Sequence, residues 1–222
     1  MNVIIFGATG MIGRGVLLEC LEDPRVRSVL APVRTPSGIR HEKLRELVRT
    51  DFFEYGDVRG ELDGLDACFF CLGVSALRMD EATYTRLTYD LTIAAAEALA
   101  AQNSGMTFCY VSGAGTDSTE HGRVMWARVK GRTENRLLAM PLNAYMFRPG
   151  YIQPTKGVRS KTGWYQAFYT LARPLYPLLR RIAPDQVTTT DAVGRAMIEV
   201  AANGYRERIL GPKDINALAR PS

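Results

Sequence analysis

The feature that most constrains this chain is a short apolar run, Val3-Ile4-Ile5-Phe6, passing directly into the glycine-rich turn Gly7-Ala8-Thr9-Gly10-Met11-Ile12-Gly13. A brief apolar run closed by a turn signal predicts a buried strand, and residues 11–22 carry apolar side chains at helical spacing. A strand turning tightly into a helix leaves the first backbone N–H groups of the helix free, with the positive end of its dipole at the turn. That combination suits an anion. Gly7 permits the sharp turn, Gly10 keeps the approach to the amides clear, and Gly13 lets the helix lie close to the sheet. In this strand–helix context the spacing predicts a loop that holds the pyrophosphate of a dinucleotide, with Gly7, Thr9, Gly10, Met11, Ile12 and Gly13 around it.

Beyond the turn, short apolar runs alternate with longer stretches of helical period, the pattern of βαβ units and a parallel sheet. Strands are predicted at residues 3–6, 26–33, 47–53, 67–72, 107–112, 144–148 and 208–210. The clearest helix spans residues 80–102, where Leu87, Leu91, Ala94, Ala95, Ala98 and Leu99 recur at helical spacing before Asn103-Ser104-Gly105 stops it. Residues 152–161, with Pro154 and Gly157, read as a loop; residues 164–184 read as a proline-interrupted helix pair that packs on the domain as a cover. Thr189-Thr190-Asp191 supplies cap residues for a last long helix through Ala202. The expected class is α/β, a doubly wound parallel sheet in one domain over residues 1–222, with residues 152–186 as an insertion or cover.

Charge and cysteine usage narrow the functions open to such a domain. A net charge of +5, spread along the chain without a basic tail, describes a solvated surface and not a nucleic-acid face. The opening residues carry no basic leader and read as a strand, so the chain is expected in the cytoplasm. The most apolar long window, residues 164–182, contains Arg173, Pro174, Pro177, Arg180 and Arg181, which no membrane span would hold. Its aromatic residues read as a packing face in preference to a membrane-surface contact. The four cysteines are Cys20, Cys68, Cys71 and Cys109. Cys68-Phe69-Phe70-Cys71 has the C-x-x-C spelling, but on a strand residues three apart point to opposite faces, which argues against metal or redox pairing.

The residues after the second predicted strand bear on which dinucleotide is held. An acidic side chain there would accept hydrogen bonds from the ribose 2′-OH of NAD. Between Asp23 and Glu42 there is none, and Val33-Arg34-Thr35-Pro36-Ser37 presents a guanidinium and hydroxyls. Arg34, assisted by Arg14, suits the 2′-phosphate of NADP through its forked donors. Gly56-Asp57-Val58, following the third predicted strand, is a candidate adenine contact through Asp57 and Val58. Cys71-Leu72-Gly73 closes the fourth strand where the cofactor ribose would pass.

Taken in order, Gly7-Ala8-Thr9-Gly10-Met11-Ile12-Gly13, Cys71-Leu72-Gly73, Val111-Ser112-Gly113-Ala114-Gly115, Val129-Lys130-Gly131 with Glu134, and Arg148-Pro149-Gly150 resemble the atypical short-chain dehydrogenase/reductase superfamily. The resemblance is to its oxidoreductase-like branch, which includes the human Tat-interacting protein and bacterial NAD(P)-binding epimerase-like proteins. It implies a Rossmann-type domain with a small C-terminal substrate-side region, use of NADP(H), and a nicotinamide pocket lined by Pro149, Gly150 and Tyr151.

In that superfamily a Tyr four residues before a Lys exchanges a proton with substrate, and the Lys cation lowers the phenol's pKa and holds the ribose. Here Lys130 is present, but Trp126 stands four residues before it, and an indole N–H does not titrate usefully. Ser112 is the candidate partner hydroxyl and Tyr151 the candidate substitute proton donor. Two functions follow: an NADP(H)-dependent oxidoreductase on a carbonyl or alcohol, or a binding module that keeps the cofactor cradle, has lost turnover, and answers to a protein partner.

Overall fold

In the computed structural model, which describes residues 1–156 and 186–220, the opening apolar run is strand β1 (Asn2–Phe6) and the helix after the glycine turn is α1 (Met11–Glu22). The chain continues through β2 (Ser28–Val33), β3 (Leu44–Val48), a 3-10 helix (Gly56–Glu61), β4 (Ala67–Phe70), α2 (Glu81–Thr85), a π-helical turn (Arg86–Asp90) and α3 (Leu91–Gln102). It then forms β5 (Thr107–Val111), α4 (Met125–Leu138), β6 (Asn143–Phe147), β7 (Tyr151–Gln153), β8 (Val187–Thr189), α5 (Thr190–Asn203), β9 (Ile209–Leu210) and α6 (Pro212–Leu218). Seven strands make one parallel sheet in the order β3-β2-β1-β4-β5-β6-β9, and β7 and β8 pair parallel as a separate ribbon. This is the doubly wound Rossmann-type arrangement that the sequence pattern predicts.

Alternate residues of each central strand feed two cores. Val3, Ile5, Phe69, Cys109 and Phe147 face α1 and α5 on one side. Ile4, Phe6, Cys68, Phe70, Phe108 and Met146 face α3 on the other. Cys68 belongs to the second core while Cys71 packs against the first, as the period-two argument requires. All four cysteines are free thiols.

The third strand lies earlier than expected, at Leu44–Val48 instead of residues 47–53. The Phe52-Phe53 pair drew the reading forward, but Phe52 is buried in the second core from the loop beyond the strand. The actual strand is a sheet edge with exposed Arg45 and Val48, so its apolar signal is weak. The ribbon strands β7 and β8 were not predicted; three residues each are too few for a periodicity. The expected 80–102 helix is present from Glu81, with Asp80 capping it, but passes through the π-helical turn. Thr189 caps α5, its hydroxyl accepting from the Ala192 amide at 3.3 Å. The predicted cover, residues 164–184, lies outside the described residues. Among the described residues no helix is long and apolar enough to cross a membrane.

Candidate functional site

Parallel strands share one direction, so the loops after β1, β4, β5 and β6 all lie along the carboxyl edge of the sheet. The sheet order reverses between β1 and β4, and the crevice at that reversal is where ligands of open α/β sheets bind. Gly7, the first residue past β1, has φ +81, a left-handed conformation that glycine adopts without strain. A side chain there would meet the end of β4, since a Cβ would stand 2.8 Å from the Cys71 carbonyl carbon and the Leu72 nitrogen. Gly13 is equally confined: its Cβ would lie 2.1 Å from the Gly7 carbonyl oxygen. The Gly10 amide donates to that same oxygen at 2.8 Å, closing the turn.

The helix that follows opens on Gly10 with no capping side chain and no acidic residue in its first turn. Its leading N–H groups and dipole are thereby left for an anion supplied from outside the chain. Across the crevice Gly73 is exposed, and a Cβ on it would meet nothing within 4 Å. The glycine loop and Cys71-Leu72-Gly73 are thus brought face to face, as a cradle for a dinucleotide requires.

At the end of β2, Arg34 and Thr35 are exposed. The next residues are clamped, because the Ser37 amide donates to Glu46 Oε1 at 2.9 Å and Arg14 Nη1 donates to the Ser37 carbonyl at 3.4 Å. Glu46, on the neighbouring strand β3, was invisible to a reading that searched for acids only along the second strand and its loop. It is an acid that reaches this corner from the side.

Asp57 and Val58 are placed differently from the expectation, since the strand ends at Val48 and both sit in the 3-10 helix well beyond it. Val58 packs against the second core. Asp57 is exposed and meets Arg49 Nη2 at 3.3 Å. The residues directly after the strand are Arg49-Thr50-Asp51-Phe52.

A second cluster ties the loops after β5 and β6 to α4. Lys130 Nζ donates to the Ser112 carbonyl at 2.5 Å. Burial lowers its ammonium to about 8, against an opposing pull from the Glu134 carboxylate. The Ser112 hydroxyl donates to Glu134 Oε1, and the Ser112 amide donates to the Phe147 carbonyl at 2.8 Å. Glu134, fully buried, takes a forked bond from Arg148, whose Nε reaches Oε1 at 3.0 Å and whose Nη2 reaches Oε2. The Ala114 amide donates to the Pro149 carbonyl at 2.9 Å and completes the link. Three of the sequence motifs therefore meet in one hydrogen-bonded group. In it Glu134 and Arg148 hold the frame, and the Ser112 hydroxyl is committed to that frame.

Trp126 lies in the first turn of α4, one turn before Lys130, and its ring edge would be 3.6 Å from a Cβ on Gly115. Tyr151 begins β7, and its hydroxyl donates to Gln153 Oε1 at 2.9 Å. The adjacent Gly150 has no room for a side chain, because its Cβ would be 2.4 Å from the Gln186 carbonyl oxygen. That contact seats the β7–β8 ribbon beside the end of β6. Tyr84 and Tyr110 are enclosed in the core.

A doubly wound parallel sheet, entered through a glycine cradle and an uncapped helix, defines the Rossmann-type dinucleotide-binding class. Residues 7–165 match the NAD(P)H-binding family. The chain belongs to that family, and its cofactor is a nicotinamide dinucleotide. No curated protein matches the chain by sequence.

Solved structures with the same fold include MoeE5 in complex with UDP-glucose and NAD (TM-score 0.67, 18% identity, 95% of this chain and 76% of that one). Another is a short chain dehydrogenase from Burkholderia cenocepacia in complex with NADP (TM-score 0.64, 14% identity, 95% and 87%). A third is the UDP-glucose 4-epimerase of Thermotoga maritima with UDP-glucose (TM-score 0.62, 15% identity, 90% and 73%). At these identities the likeness is one of fold, the same doubly wound sheet covering most of each chain.

Proposed function

We propose that this protein is an NADP(H)-dependent oxidoreductase acting on a carbonyl or alcohol. The observation that carries the reading is the half-buried Lys130 amine, which donates to the Ser112 carbonyl at the carboxyl end of β5, on the edge that also bears the glycine cradle. In this reading the amides at the start of α1 hold the pyrophosphate, Arg34 and Arg14 hold the 2′-phosphate, and Lys130 donates to the nicotinamide ribose. Bound there, the nicotinamide would supply or accept a hydride at its C4 position. Pro149, Gly150 and Tyr151 border the place for its ring, and Tyr151 or water exchanges the proton. Ser112 fixes the carbonyl that Lys130 bonds, and its hydroxyl is a positioning group through Glu134. Residues 152–186 are assigned to the substrate side, since the chain leaves the main sheet after β6 and pairs β8 with β7 in a separate ribbon before it re-enters the sheet at β9.

Fluorescence titration with NADPH and NADH tests the cofactor half of the reading. NADPH binds at least tenfold more tightly to the wild type, and Arg34→Ala removes most of that margin; equal wild-type affinities would falsify the choice of NADP(H). Substrate-dependent NADPH oxidation, lost in Lys130→Ala, tests the enzyme half.

A second reading rests on Trp126 and its contact with Gly115: a protein that holds NADP(H) without turnover and presents a cofactor-dependent surface to a partner. The variant Trp126→Tyr separates the two. A carbonyl panel reduced at least tenfold faster by Trp126→Tyr than by a weakly active wild type supports an enzyme short of a proton donor. Inertness of both proteins in the presence of bound NADPH supports the binding module.

A further inference from the structure

Arg49 is the first residue past β3, and its amide donates to the Val33 carbonyl at 2.9 Å, joining the ends of β2 and β3. Its side chain is 7% exposed. Nε donates to the Asp51 carbonyl and Nη2 to the Glu54 carbonyl, while Nη2 also meets Asp57 Oδ1 at 3.3 Å. The guanidinium lies 4.7 Å above the centre of the Tyr55 ring, and its third nitrogen, Nη1, is buried with no hydrogen-bond partner. An arginine is expensive to enclose and its full donor set is seldom left short. Here three donor contacts and a ring face are gathered from a single loop, residues 51–57.

That loop is coupled to the cradle. Tyr55 donates through its hydroxyl to the Phe52 carbonyl at 3.0 Å and packs edge-on against Phe6, ring centres 6.2 Å apart. Phe6 immediately precedes Gly7. The other side of the same arginine is fastened, through Val33, to the residue before Arg34. Arg49 therefore stands between the glycine turn, the 2′-phosphate loop and the loop that follows β3.

We infer that Arg49 is a positioning residue for the adenosine half of the cofactor. It fixes loop 51–57 in the shape that receives the adenosine, without itself touching the ligand, since its free nitrogen is sealed from solvent. The inference rests on the NADP(H) reading given above. Two substitutions remove the fork in different ways: Arg49→Lys keeps a cation that cannot bridge the Asp51 and Glu54 carbonyls, and Arg49→Met keeps the apolar stem alone.

The experiment compares three ligands on folded wild type, Arg49→Lys and Arg49→Met, with circular dichroism checking the fold. The ligands are NADPH, adenosine 2′,5′-bisphosphate as the adenosine half, and reduced nicotinamide mononucleotide at millimolar concentration as the other half. Expected is a 10- to 100-fold loss of affinity for NADPH and the bisphosphate in both variants. Affinity for the mononucleotide stays within twofold, and amide exchange in residues 50–57 accelerates. Should Arg49→Met fail to fold, Arg49→Lys carries the comparison. Wild-type affinity of a folded variant for the bisphosphate, or an equal loss for all three ligands, overturns the inference alone. A wild type that binds neither NADPH nor the bisphosphate overturns the cofactor reading and the inference together.

Discussion

Lys130 shows what a single residue carries here. Its ammonium is lowered by burial from 10.5 to about 8. Between those values the unfolded chain holds a proton that the folded chain has released, so this residue's contribution to stability rises with pH across that window. Below about pH 8 the full burden of the enclosed charge is present. The difference in urea midpoint between wild type and Lys130→Met should therefore shift in favour of the wild type from pH 7.5 to pH 9.5. A difference that stays flat across that range would remove the enclosed amine from the argument.

The same residue marks how far a sequence can be read. Lys130, Glu134 and Arg148 were visible through the family motifs they belong to, and the structure joins all three through Ser112. Arg49 and Glu46 were not, because each acts on backbone atoms of a loop whose path no periodicity records. Asp57 was misplaced for the same reason: once the third strand was set to end five residues late, everything counted from its end moved with it.

At the scale of the element, the glycine turn and the helix it starts were legible from the first residues, since the chemistry of a strand–turn–helix needs small residues at set intervals. The two glycines on either side of the crevice make opposite demands. Gly13 is packed against the Gly7 carbonyl, whereas Gly73 faces open space. Gly13→Ala should push α1 off the sheet, costing about 1–3 kcal/mol by overpacking and lowering NADPH affinity with it. Gly73→Val should melt with the wild type yet lose at least tenfold in NADPH affinity, because only the ligand's path is filled. Thermal scans paired with titrations separate the two; parallel losses in both variants would mean that Gly73 is structural and that the cradle is drawn on the wrong side. The β7–β8 ribbon was beyond a reading by element, since its pairing depends on residues far apart in sequence and on the close seating of Gly150.

For the molecule as a whole, two apolar cores lock the sheet, and the carboxyl edge is held by polar ties that run from strand to strand. The fold was readable because the central strands β1, β4, β5 and β6 are apolar on both faces, a demand of buried parallel sheets that leaves a strong mark in sequence. The edge was less so, because ties such as Glu134 to Arg148 depend on which loops become neighbours. A ligand that binds the native edge and not the open chain stabilises it by mass action, about 2.7 kcal/mol at a hundredfold excess over Kd. NADPH should raise the urea midpoint accordingly, with NADH at equal concentration giving the smaller rise; no rise with either would show that the edge does not receive a dinucleotide.

The chain departs toward residues 157–185 from a fixed post. The Thr155 hydroxyl donates to Asp191 at 2.8 Å, and Lys156 pairs with Glu19 and Glu22 of α1, each at 2.6 Å. It returns through β8, which is paired along its length with β7. With both of these flanks anchored to the framework, the two ends work as a socket: the ties to α1 and α5 are made by Thr155 and Lys156 themselves and do not depend on what is joined between them. Descent could then alter what such a protein recognises without renegotiating what it holds.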